Sequence, residues 1–137
     1  MTTAATKIKI ILMEMFNMGF IGEAQYAVLR GNVNGEEGTW FSERILEIWD
    51  VIQKMPKTYE NKDGIAHLHY FMPSMDWYIT EKDIGDAPKE SRVKQHQAFG
   101  STHQTGSRQP ELGYISLIEI TQHGAELDLH FEPKVMF

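Results

Sequence analysis

The chain has 137 residues, no cysteine and a formal net charge of −6, from 19 acidic against 13 basic side chains. That length buries a core without staples, and the missing cysteines exclude disulfides, thiolate-held zinc and thiol nucleophiles. The acidic excess argues against direct nucleic-acid binding, which needs clustered lysine and arginine.

Ile8, Ile11, Leu12, Met15, Phe16 and Met18 recur at i, i+3, i+4 and i+7, which predicts a helix over Thr6–Met18 with one broad apolar face. Gly19 or Gly22 stops it. Methionine-rich surfaces fill irregular gaps, and a helix this apolar has to dock on a sheet face. The run Ile8–Phe20 is broken by Lys9, Glu14 and Asn17, so it is neither a membrane span nor a signal segment. A soluble cytoplasmic protein with no membrane partner is the expectation.

Glu23–Phe41 reads as a hairpin, with strands at Tyr26–Leu29 and Thr39–Phe41 around the turn-rich Asn32–Gly38 connection. A helical turn at Gln25–Leu29 is the other reading. The next element, Ser42–Met55, has full helix punctuation. Ser42 is the expected N-cap, Glu43 offsets the dipole, and Phe41 with Leu46 matches a hydrophobic staple. Ile45, Ile48, Trp49, Ile52 and Met55 make the buried stripe, and Pro56 ends the helix.

Thr58–Gly64 is a polar loop. From Ile65 the period becomes two, with Ile65, His67, His69 and Phe71 on one face and Ala66, Leu68, Tyr70 and Met72 on the other. Pro73–Met75 turns the chain into a return strand, Asp76–Lys82, which pairs antiparallel with the first. Asp83–Gln97 reads as a mobile loop, Gln97–Gly100 as a short strand and Ser101–Gln109 as a second loop. Pro110–Pro133 then runs strand, short helix, strand. Ser116 and Glu119 have capping-box spacing, Gly124 is the C′ residue, and Leu127, Leu129 and Phe131 alternate with acids and a histidine as a strand would. The sum is one α+β domain over residues 1–137, helical over 1–56 and sheet over 65–133. An antiparallel sheet of about 4–6 strands packs against two main helices, with one short capped helix near the C-terminus.

Several side chains could carry chemistry. His67 and His69 sit two apart on one strand face, a spacing found in metal sites, and His96, His103, His123, His130 or Glu81 would have to supply the third ligand. A hydrogen-bonded, inert histidine pair is the plain alternative. Glu81 and Asp83, beyond Trp77 and Tyr78, would form an acidic site with an aromatic wall, and Glu111 and Tyr114 flank a glycine at a strand entrance. Glu36 and Glu37 open an acidic stretch, five acids against two bases from Glu36 to Lys54. No phosphate-cradling loop, nucleophile elbow, HExxH or EF-hand pattern occurs, so no cofactor is implied.

Five segments in one order carry a resemblance: His69-Tyr-Phe-Met-Pro73, Trp77-Tyr-Ile-Thr-Glu-Lys-Asp83, Ala98-Phe-Gly100, Pro110-Glu-Leu-Gly-Tyr-Ile-Ser-Leu-Ile-Glu119 and Leu127-Asp-Leu-His-Phe-Glu-Pro133. Together they resemble a family of short bacterial proteins, a domain of unknown function carried on plasmids, integrative elements and phages. The family's usual threonine before Pro73 is Met72 here. The resemblance implies an accessory gene of mobile DNA and brings no catalytic residues with it. The expectation is therefore a non-enzymatic binding protein, an anti-CRISPR or anti-restriction inhibitor that meets a protein partner. Glu36, Glu37, Trp77, Tyr78, Glu81, Asp83, Glu111 and Tyr114 are its candidate interface. The alternatives are a metal-dependent hydrolase or nuclease on single-stranded nucleic acid using His67, His69 and Glu81 or Asp83, and an accessory factor of the element's own transfer or replication.

Overall fold

Three helices open the chain, in a computed structural model that describes residues 4–58, 64–84 and 93–136. Helix α1, Ala4–Met18, buries Ile8, Ile11, Leu12, Met15 and Met18, the stripe that the sequence spacing predicts. Gly19 stops it at φ +89°, and an added Cβ there would meet Ile118 Cγ1 at 2.2 Å. Helix α2 is Glu23–Val33 and helix α3 is Gly38–Lys54. The three pack on one another.

The hairpin expected over Glu23–Phe41 does not form. Ala24, Gln25, Ala27, Leu29 and Arg30 are good helix formers. Tyr26, Leu29 and Val33 then share one face, with Tyr26 stacked on Phe16 at 4.8 Å and 5°. Thr39–Phe41, the other supposed strand, is the first turn of α3. Ser42 is therefore an internal helix residue, not the N-cap, and Glu37 holds the capping position. Leu46 is 40 % exposed, so the staple is absent too. Ile45, Ile48, Ile52 and Met55 are buried as expected, and Trp49 is half-buried against them. Lys82 Nζ closes the far end of α3 by donating to Ile52 O at 2.6 Å, a cation on the helix's partial negative charge.

The strands form an α+β antiparallel arrangement. Strands β2 (Leu68–Met72), β3 (Met75–Glu81), β4 (Ala98–Gln104), β5 (Glu111–Ile115) and β6 (Glu126–Leu127) make one sheet in the order β5-β4-β3-β2-β6. Strands β1 (Ile65–Ala66) and β7 (Lys134–Val135) pair separately. Leu68, Tyr70, Trp77, Ile79, Ala98, Ile115 and Leu127 point from one sheet face into the same core as the helix stripes. The α+β arrangement is the one expected, with α2 as a further helix beside the two main ones.

Two loop expectations are revised. Ser101–Gln104 belong to β4, which pairs with β3 from Met75 to Glu81, so the second loop is shorter than its polar composition implied. The closing strand stops at Leu127, because Asp128 Oδ1 accepts the His130 N–H at 2.9 Å and turns the chain. Ser116 does cap helix α4, Leu117–Gln122, accepting from the Glu119 N–H at 3.1 Å, and Gly124 follows at φ +103°. The loops expected at Thr58–Gly64 and Asp83–Gln97 fall largely on 59–63 and 85–92, outside the described residues.

One side chain completes the sheet. The Gln25 amide donates to Leu127 O at 2.8 Å and accepts the Leu127 N–H at 2.9 Å. It stands where a sixth strand would and satisfies both backbone groups of that edge residue.

Candidate functional site

The outer sheet face holds the polar residues. Antiparallel pairing sets His69, Tyr78, Ser101 and Leu112 in one row, and Phe71, Asp76 and His103 in the next. His69 and Tyr78 stack at 4.6 Å and 14°. The His69 ring lies between two acids, with Nε2 2.7 Å from Asp76 Oδ1 and Nδ1 2.9 Å from Asp128 Oδ2. Burial, with Asp76 and Asp128 adding to it, holds the Tyr78 hydroxyl above its ordinary pKa. The segment after Asp128 lies over this face. Phe131 packs on His69 and Tyr78, and Arg44 on α3 donates to Leu129 O at 2.6 Å.

His67 and His69 share a face as the alternation predicts, but the residues named as third ligands lie elsewhere. Glu81 is fully buried beside Thr80, the His103 ring faces the Ser101 hydroxyl at 3.0 Å, and His123 is held by Glu119 O at 2.8 Å. His130 packs against Trp40 at 5.0 Å. No group of three or more His, Asp or Glu suited to a metal occurs among the described residues. Ser101, although beside a histidine, is buried and has no approach for a substrate.

The candidate interface is dispersed. Trp77 is 7 % exposed and Glu81 is closed off, so neither can meet a partner directly. Asp83 accepts the His96 and Gln97 backbone N–H groups at 3.1 and 2.9 Å, a local structural task. Tyr78 lies half-buried under Phe131. Glu111 and Tyr114 are exposed on the edge strand β5, where Tyr114 meets Phe99 edge to face at 5.6 Å. Of these eight residues, Glu36 and Glu37 border a large concavity.

That concavity is a cleft of about 860 Å3 between the start of α3, the end of β2 and the segment 126–130. Trp40, Phe41 and Phe71 wall it, with Leu127 and Leu129 behind them. Five carboxylates surround the rings: Glu36, Glu37, Glu43, Glu126 and Asp128. Among the described residues, no lysine or arginine lines it. The size suits a small ligand or a few side chains. Sequence reasoning missed the rings for a local reason. Thr-Trp-Phe looked like a strand, and the cleft needs three segments that lie far apart in the chain.

No family model, curated protein or solved structure matches this chain. Among the described residues, no helix is long and apolar enough to cross a membrane.

Proposed function

We propose that this protein acts by binding, without turnover, and that the ring-walled acidic cleft seats a basic surface of a protein partner. One observation carries the reading: five carboxylates surround three aromatic rings, with no base among the described lining residues. Charge complementarity of that kind raises the encounter rate and selects the partner. Large rings at the centre of the patch supply the anchoring energy. The partner class placed first is a nucleic-acid-binding host defence complex, because its groove is basic; kinship with proteins of mobile elements is itself part of this proposal. An inhibitor of the anti-CRISPR or anti-restriction type then occupies that groove stoichiometrically.

The test is capture from a bacterial lysate, followed by mass spectrometry, with the natural protein beside a Glu36→Lys, Glu37→Lys, Glu126→Lys variant. A partner that the natural protein retains, that raised salt releases, and that the variant loses supports the reading. A partner held equally by both proteins removes the cleft from the account. Recovery of the element's own transfer or replication proteins through the same acids assigns the surface to that machinery instead.

A further inference from the structure

We infer that the Trp40 corner of the cleft is a receptor for a single arginine side chain, presented by an extended basic segment of the partner. The inference deepens the binding reading above and rests on it. Phe41 meets Trp40 at 4.9 Å and 88°, and His130 lies 5.0 Å away at 39°. The rings therefore form a corner, not a flat stack. Trp40 and Phe71 each keep 38 % of their surface open, whereas the core tryptophan Trp77 keeps 7 %. A large ring held half-open in a cleft offers its negative face to a cation.

The charges around the corner have the matching sign. Glu36 and Glu37 precede the first turn of α3, Glu43 follows it, and Glu126 stands on the opposite wall. Among the described residues no salt bridge engages these four acids. The start of α3 brings about half a positive charge to the same corner, which four carboxylates outweigh. Asp128 adds charge, although its oxygens already serve His69 and the His130 N–H.

Arginine fits better than lysine. Its guanidinium is planar, stacks on indole, sheds water more easily than an ammonium, and carries several donors for carboxylates on two walls. The apolar wall of Phe71, Leu127 and Leu129 takes the methylene stem and a neighbouring apolar side chain. A nucleic-acid strand would meet the same acids and be repelled.

The experiment titrates the full chain with the peptide Ac-Gly-Leu-Arg-Leu-Gly-NH2, with its lysine and citrulline counterparts, and with ethylguanidinium alone. The readout is the Trp40 indole N–H in 15N correlation spectra, assigned with Trp40→Phe. The arginine peptide is expected to saturate the shift and to bind at least tenfold more tightly than the uncharged citrulline peptide. Ethylguanidinium should shift the same signal weakly, which separates the guanidinium from the peptide frame. Trp40→Leu is expected to lose binding tenfold, and Trp40→Phe to keep most of it. Because Trp40 is partly exposed, both variants should retain the remaining amide spectrum. Equal binding of arginine and citrulline peptides, or undiminished binding by Trp40→Leu, overturns the inference. Peptide binding without acid-dependent partner capture would sink the functional reading but not this one; acid-dependent capture without peptide binding does the reverse.

Discussion

On the outer face, the His69 ring lies between two carboxylates. It joins Asp76 and Asp128, which would otherwise be two like charges facing the same sheet row. Replacing it with alanine leaves both acids facing the gap and should cost about 1–3 kcal/mol, read as a lower urea midpoint. His69→Gln, which can still donate one hydrogen bond, should cost less. Equal losses for the two variants would mean that ring packing on Tyr78, not the acids, sets the cost. Tyr78 gives a pH test. Its hydroxyl is held above the ordinary value of about 10 by burial first, then by Asp76 and Asp128. The folded chain therefore keeps the proton that the unfolded chain gives up. The stability this confers is complete below about pH 10 and is lost as pH rises through the folded value. Tyr78→Phe should flatten the fall in the urea midpoint between about pH 9 and pH 11. An unchanged slope would sink the assignment. At this scale the sequence was legible in part. His67 and His69 do share a face, because strand alternation is a local property, but the acids beside His69 come from a neighbouring strand and a distant turn.

Elements were legible where local signals and packing agree. Helix α1, the Ser116 cap and the β2–β3 pair follow directly from spacing and turn residues. Helix α2 and the early start of α3 did not, because the glycines of Gly31–Gly38 look like turn punctuation and Thr39–Phe41 is β-prone. Burial of Leu29 and Val33 among the other helices decides the matter in favour of helix. The last strand failed in the opposite sense. Its alternation from Leu127 to Phe131 was sound, yet Asp128 bonds the next turn and ends the pairing early. Gln25 has consequences at the same scale. Gln25→Ala removes two hydrogen bonds to Leu127 and should cost about 1–3 kcal/mol. It also bares the edge of β6, so the variant should precipitate faster on heating. A variant as stable and as soluble as the natural chain would show that solvent replaces the amide at no cost.

The whole molecule carries a charge of −6 and gathers five acids around one cleft. Like charges held together in the folded state oppose folding, and added salt screens them. The melting temperature should therefore rise from 20 to 300 mM NaCl. Glu37→Gln with Glu126→Gln should raise it at low salt and blunt the salt response. A melting temperature that falls with salt would mean that attractive pairs dominate. Acids kept at a cost to stability are what a binding surface requires. Two of the cleft's acids, Glu36 and Glu37, stand out in the sequence as the start of an acidic stretch. The rings that give the surface its shape do not, since they lie on α3 and β2 and meet only in the folded chain.

The sheet is unlike at its two ends. A glutamine amide occupies one border, while β5 leaves Leu112 and Tyr114 at 58 % and 52 % exposure on the other. Among the described residues, β5 is therefore the margin of this sheet left open to main-chain pairing with a copy of itself. Pairing of two copies through β5 would occupy that margin in both and leave the Gln25-held border of β6 at each outer end.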